Sequence, residues 1–207
     1  IFGYLARMRG DPVSLVAGDA DRVVDRPARA GAEHAEMILA LLARRLDALT
    51  TGGTGQERLA AGAPASRLSA VLERVSTWHR RRSLVVLITD TSHPDARTDP
   101  AVVDWLRRLS AQHELIAIQV ADDVALAPGR GRRRDVELAG EVPAFLREDK
   151  ALAARLDAQE RARRAQVASL LDSRRIEHVT VTSEAVMMDQ IAELLARQRL
   201  VLNRRRR

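Results

Sequence analysis

Cysteine is absent from all 207 residues. Its absence excludes disulfide bonds, thiolate metal ligands and catalytic thiols. Aromatic residues make up only 2% of the chain, so a core must be built from leucine, valine, isoleucine and alanine. The apolar content of 46% is enough for one domain with a substantial core. We therefore expect a single, partial domain over residues 1–200, followed by a basic C-terminal tail at residues 201–207.

Long apolar runs are also absent. No stretch approaches the roughly 20 residues that a membrane helix needs, and the first residues do not form a signal peptide. Because the chain begins with Ile1 rather than methionine, we expect an N-terminally truncated fragment. The missing upstream sequence could carry membrane segments. These observations predict a cytoplasmic domain that is attached to a membrane, if at all, only through that missing sequence.

Lysine is almost absent, with Lys150 as its single instance, so the net charge of +6 comes from arginine. Four of these six charges belong to Arg204–Arg207, and residues 130–134 hold another local cluster. Outside these tracts acidic and basic residues nearly balance, so no evenly basic face is expected. The distribution therefore disfavours a nucleic-acid partner.

Two apolar runs predict buried strands, Ser83–Asp90 and Leu115–Val120, with an amphipathic helix near Pro100–Gln112 between them. A strand–helix–strand order of this kind predicts a right-handed crossover between parallel strands. The first run has an unbroken apolar centre, as a central strand covered on both faces requires. The fold class predicted is α/β, with a mostly parallel sheet flanked by helices.

Polar residues follow the first of these strands at once: Asp90 ends it, and Thr91, Ser92, His93 and Asp95 come next. Ligands of open parallel sheets bind beyond the carboxyl ends of strands, and oxygen ligands suit a divalent cation such as Mg²⁺. Two interpretations of Asp90 remain open, a metal ligand or a cap of the following turn. His93 is either part of a site or a solvated loop histidine. The sequence contains no phosphate loop and no Gly-x-Ser-x-Gly nucleophile elbow.

Several segments, taken in their order and spacing, resemble the von Willebrand factor A-like domain of the bacterial domain-of-unknown-function family 58. The resemblance rests on Arg81–Asp90, the Gly31-x-x-His34 and Ser66-x-Leu68 helix starts, His113–Ile118 and Val142–Ala144. It extends through most of the chain and implies a Rossmann-like sheet with a metal-ion-dependent adhesion site.

Such a site combines an Asp-x-Ser-x-Ser strand end, a loop threonine and an aspartate at the end of a later strand. Asp90 matches that last aspartate, and Ser66 sits where the loop threonine is expected. The Asp-x-Ser-x-Ser segment does not occur in this sequence. The implied metal site, Asp90 with Ser66, is therefore partial. We expect Mg²⁺ to be possible in the intact protein and weak or absent in this chain, with both side chains on the same side of the sheet.

Members of this family are typically encoded beside MoxR-type AAA+ ATPases. The resemblance therefore implies a non-enzymatic protein-interaction module, an adaptor or partner of such an ATPase, with no catalytic residues. The alternative is a Rossmann-like hydrolase that uses Asp90, His93 and Asp95. A deep pocket converging on His93 would favour the enzyme, and a shallow rim around Asp90 would favour the module.

Overall fold

The computed structural model describes residues 1–51, 58–59, 64–78, 81–121, 134–135, 140–141 and 150–205. The chain divides into two compact units, residues 1–74 with 130–143 and residues 75–129 with 144–207. The predicted organisation, one domain over 1–200 and a tail at 201–207, stays a prediction. The sequence also predicts two short strands, at Val136–Leu138 and Ala144–Leu146, and both lie outside the described residues.

The first unit is a mixture of helices and antiparallel strand pairs. Its elements are α1 (Phe2–Arg9), β1 (Val13–Gly18), β2 (Val23–Arg29), α2 (Ala32–Leu49), β3 (Thr50–Thr51), β4 (Arg58–Leu59), β7 (Arg134–Asp135) and β8 (Gly140–Glu141). The strands pair as β1 with β2, β3 with β4, and β7 with β8. A further helix, α3 (Leu68–Trp78), begins in this unit and continues past its last residue, Arg74.

Local interactions explain where α1 ends and how the β1–β2 turn is closed. Gly10 ends α1 with φ 71°, a left-handed conformation that glycine adopts without a Cβ clash. Asp19 closes the β1–β2 turn, because its carboxylate accepts hydrogen bonds from the backbone N–H groups of Asp21 and Arg22, both at 2.9 Å. Arg45 on α2 then pairs with the same carboxylate at 2.7 Å. The helix is thus tied to the turn.

The second unit contains a parallel sheet. Its elements are β5 (Leu84–Asp90), α4 (Ala101–Gln112), β6 (Glu114–Val120), α5 (Lys150–Ser173), β9 (Glu177–Val181) and α6 (Glu184–Arg205). β6 pairs in parallel with β5 on one side and with β9 on the other. The prediction of an α/β fold with a parallel sheet and flanking helices is confirmed at this level.

The order of the strands corrects one expectation. β6, not β5, is the central strand of the described sheet. Ile116 and Ile118 on β6 are 0% and 4% exposed, whereas Ile88 on β5 is 63% exposed. An unbroken apolar run therefore failed to identify the central strand, since both strands carry such a run and only the pairing distinguishes them.

The core of the second unit lies along β6. α4 contacts β6, and α5 and α6 contact β9. Val102, Leu106 and Leu109 recur on one face of α4 and are fully buried, as a helix packed through one apolar stripe requires. No helix in the described part of the chain is long and apolar enough to cross a membrane.

Candidate functional site

The candidate site is the segment that follows β5, residues 90–97, which we call the Asp90 rim. Asp90 is the last residue of β5, and its side chain is 40% exposed. Its Oδ1 accepts a hydrogen bond from the backbone N–H of Ser92 at 2.6 Å. The Nδ1 atom of His93 lies 3.1 Å from Oδ1 and 3.2 Å from Oδ2. Because a carboxylate can only accept, Nδ1 carries the hydrogen and donates to both oxygens.

The pair shifts the pKa of both groups. Burial by itself raises the pKa of Asp90, but the hydrogen bond and charge of His93, with the Ser92 and His93 backbone N–H groups, bring it below its usual value. The hydrogen bond to Asp90 raises the pKa of His93 against the opposing effects of burial and of the charge on Arg163. The two groups therefore favour the ion pair.

A second carboxylate, Asp95, lies in the same rim but is buried, with only 6% of its side chain exposed. Its Oδ1 accepts the backbone N–H of Arg97 at 2.8 Å, and its Oδ2 lies 3.2 Å from the guanidinium of Arg163 on α5. The Arg97 backbone hydrogen bond, followed by the charges of Arg163 and Arg97, lowers the pKa of Asp95 although burial opposes them. Asp95 is thus an ionised carboxylate held by arginine.

Gln119 on β6 makes a hydrogen bond to the backbone of the Asp90 rim. Its side chain is buried and its Nε2 donates a hydrogen bond of 3.0 Å to the backbone carbonyl of His93. Neither Gln119 nor Arg163 was predicted as a site residue. The sequence does indicate Gln119, because it is a polar residue within an otherwise apolar strand. A buried amide of this kind needs a hydrogen-bond partner. No such signal marks Arg163, one of many arginines on a polar helix.

The structure decides between some of the sequence interpretations. Asp90 does cap the turn after β5, through its hydrogen bond with Ser92. The interpretation of His93 as a solvated histidine is wrong, because its side chain is only 13% exposed. Ser66 is exposed and precedes α3 in the first unit, whereas Asp90 belongs to the second. The association of Ser66 with Asp90 therefore stays a prediction.

The donor set of the rim does not fit Mg²⁺. Within the described residues no group of three histidine, aspartate or glutamate side chains is placed to hold a metal ion. Asp90 already accepts hydrogen bonds from Ser92 and His93, and Asp95 is paired with Arg163. Mg²⁺ demands near-octahedral oxygen ligation and is usually held by one or two available carboxylates. Asp95 is enclosed by its arginine contacts, and Asp90 could bind a cation with both oxygens only by giving up its contact with His93.

One small cavity lies at the other end of the parallel sheet, near the start of β6. It has a volume of about 30 Å³ and is lined by residues that include His113, Glu114, Arg174 and Gln198. This volume has room for about one water molecule. The cavity includes neither Asp90 nor His93, so it adds nothing to the Asp90 rim.

Comparison with known proteins now identifies the family. The model of the family described as protein of unknown function DUF58 matches residues 1–167. The chain belongs to this family. The predicted resemblance is therefore confirmed at the level of the DUF58 family, and the match includes the whole Asp90 rim as well as Arg163. No curated protein and no solved structure shows a significant match to the chain.

Proposed function

We propose that this DUF58 chain is a non-enzymatic protein-interaction module with a von Willebrand factor A-like, Rossmann-like fold. Its partner in this proposal is a MoxR-type AAA+ ATPase, for which the chain acts as an adaptor. The observation that carries the proposal is the exposed carboxylate of Asp90, at the carboxyl end of a parallel strand. This is the position at which open parallel sheets present ligand-contacting groups.

The contacts around Asp90 favour recognition over catalysis. The carboxylate is fixed by Ser92 and His93, and the segment behind it is fixed by Gln119 and by the Asp95–Arg163 pair. A group held in one conformation loses little entropy when a partner binds. The rim also presents the guanidinium of Arg97, which is 62% exposed and lies 3.7 Å from Asp95. The surface therefore offers both signs of charge, which suits specific protein recognition.

The metal chemistry of the family belongs to the same proposal. Asp90 and Ser66 are the two positions that match an adhesion-type site, and because two ligands are too few to hold Mg²⁺ tightly, we propose that this chain engages its partner without a bound cation. We also propose a cytoplasmic location, because an AAA+ ATPase partner requires ATP.

The direct test is binding to a purified MoxR-type AAA+ ATPase. Biolayer interferometry should give saturable binding for the wild-type chain. Asp90→Asn keeps the shape and removes the charge, and we expect it to weaken binding about tenfold or more, because hydrogen bonds to charged groups contribute roughly 1.5–3 kcal/mol. Asp104→Asn is the matched control, since Asp104 is an exposed aspartate on α4. Absence of binding, or equal losses in both variants, would contradict the proposal.

A second candidate, a hydrolase, is favoured by one observation. Asp90 accepts from Nδ1 of His93, which is how a carboxylate orients a catalytic imidazole whose Nε2 acts as general base. Hydrolysis of an ester or phosphoester substrate that His93→Gln reduces by about 100-fold or more would support this candidate, since general bases contribute that much or more. Equal slow hydrolysis by both proteins would exclude it.

A further inference from the structure

Groups of the protein itself contact the carboxylate of Asp90. In an adhesion-type site, the aspartate at this position faces a divalent cation. Here the protein itself donates to both carboxylate oxygens: Nδ1 of His93 lies between them, within 3.2 Å of each, and the Ser92 N–H adds a 2.6 Å hydrogen bond to Oδ1. A cation could be bound by both oxygens of Asp90 together only after displacing His93.

We propose that His93 takes the place of the divalent cation in the Asp90 rim, so that this rim is closed to metal and works without it. The closure rests on the Nδ1–H hydrogen bonds. Both the imidazolium and the neutral tautomer with a hydrogen on Nδ1 can donate them. The closure therefore does not depend on the charge of the ring.

The contacts around His93 make it unfavourable to move the His93 ring away from Asp90. Its side chain is largely buried, and its backbone carbonyl accepts the hydrogen bond from Gln119. Two residues on, Asp95 is buried and held by Arg97 and Arg163. To free Asp90, the ring would have to leave a buried position while the backbone on both sides of it stays fixed. Such a movement leaves buried polar groups without partners, which is unfavourable.

The closure has a consequence for the partner, and this consequence rests on the proposed function. A bound cation recruits an acidic side chain as an additional ligand. A metal-free carboxylate instead attracts hydrogen-bond donors, since its oxygens can only accept. Oδ2 of Asp90 accepts only from His93 among the described contacts. The group that meets Asp90 is therefore expected to be a lysine, arginine or amide donor rather than a carboxylate.

The test uses Mn²⁺ as the probe and the whole 207-residue chain. Electron paramagnetic resonance counts free Mn²⁺, and the ring nitrogens of His93 are followed by ¹⁵N NMR in a parallel titration with diamagnetic Mg²⁺. The wild-type chain should show no saturable binding at millimolar Mn²⁺, and Mg²⁺ should leave the His93 ring shifts unchanged. His93→Asp replaces the occluding ring with a second carboxylate, and we expect it to bind Mn²⁺ at least about tenfold more tightly.

Asp90→Asn combined with His93→Asp is the control, and it should lose most of this gain because one of the two carboxylates is gone. Micromolar binding by the wild-type chain that Asp90→Asn abolishes would overturn the inference. A folded His93→Asp variant with no gain would also overturn it, since the histidine would then not be what excludes the cation. If that variant does not fold, the wild-type ring shifts still decide: a saturable change on adding Mg²⁺ contradicts the closure. Binding to the ATPase is measured in a separate experiment, so the closure of the rim to metal and the proposed function can each fail without the other.

Discussion

The buried side chain of Gln119 on β6 donates a hydrogen bond of 3.0 Å to the backbone carbonyl of His93, beyond the end of β5. The bond ties the Asp90 rim to the neighbouring strand. Because this hydrogen bond restrains the backbone of His93, it helps to keep the His93 ring in contact with Asp90 at the end of the partly exposed strand β5.

Gln119→Met should therefore loosen the rim while keeping the volume of the side chain. The carbonyl of His93 loses its donor, and an unpaired buried polar group costs about 1–3 kcal/mol. We expect the free energy of unfolding, measured in urea, to fall by about that amount. Hydrogen exchange of the Ser92 amide should become faster. Unchanged exchange at Ser92 would show that Gln119 does not restrain the rim.

The pair formed by Asp95 and Arg163 joins the rim to α5. Asp95→Asn keeps an acceptor for the Arg97 backbone N–H but removes the charge, and we expect a loss of about 1–3 kcal/mol in unfolding free energy. Asp104→Asn is the control, because the Asp104–Arg107 pair is exposed and should contribute less than about 1 kcal/mol. A cycle with Arg163→Met should give a coupling of roughly 0.5–3 kcal/mol. Additive losses would mean that the two side chains act independently.

The ion pair of Asp90 and His93 predicts a definite pH dependence. The pKa of His93 is raised above 6.5, so the pair stabilises the folded chain fully below that pH and loses its effect as pH rises through the folded-state pKa. The pKa of Asp90 is lowered below 3.8, so stabilisation is present above that pH and is lost as pH falls through the folded-state value. The contribution is therefore greatest between these two reference values.

Asp90→Asn tests this directly. NMR titration of the His93 ring should give a lower pKa in the variant than in the wild type, because the hydrogen bond to a charged carboxylate is the largest cause of the upward shift. An unchanged His93 pKa would mean that the two side chains are not in contact in solution.

Arg175, just after α5, has φ 56°, a left-handed conformation that glycine adopts more easily than arginine. Its N–H caps the helix end by bonding the Asp172 carbonyl at 2.9 Å. Arg175→Gly should therefore stabilise the chain by about 0.5–1 kcal/mol in thermal or urea unfolding. Ser173→Gly, at the last position of the helix, is the control and should destabilise by about 0.5 kcal/mol. Destabilisation by both variants would argue against the left-handed conformation.

The sequence predicts α4, β5 and β6, and it predicts that candidate site residues lie at the carboxyl end of the sheet, where the Asp90 rim is found. Helical spacing in α4 and the apolar runs of β5 and β6 are local signals, so they could be interpreted before the structure was known. The central position of β6 could not, because strand order depends on pairing between distant segments. The same limit applies to the rim: proximity in sequence links Asp90 with His93, but only the fold brings Gln119 and Arg163 to them.

The central claim is that the Asp90 rim is the surface that contacts the partner. The most direct measurement is the change in ¹⁵N–¹H amide shifts of the labelled chain when a purified MoxR-type ATPase is added. The account predicts that the largest changes and line broadening lie at residues 90–97, with little change at Glu114 and Ile176 at the opposite end of the sheet. Changes concentrated at Glu114 and Ile176, or none at a saturating concentration of the ATPase, would contradict it.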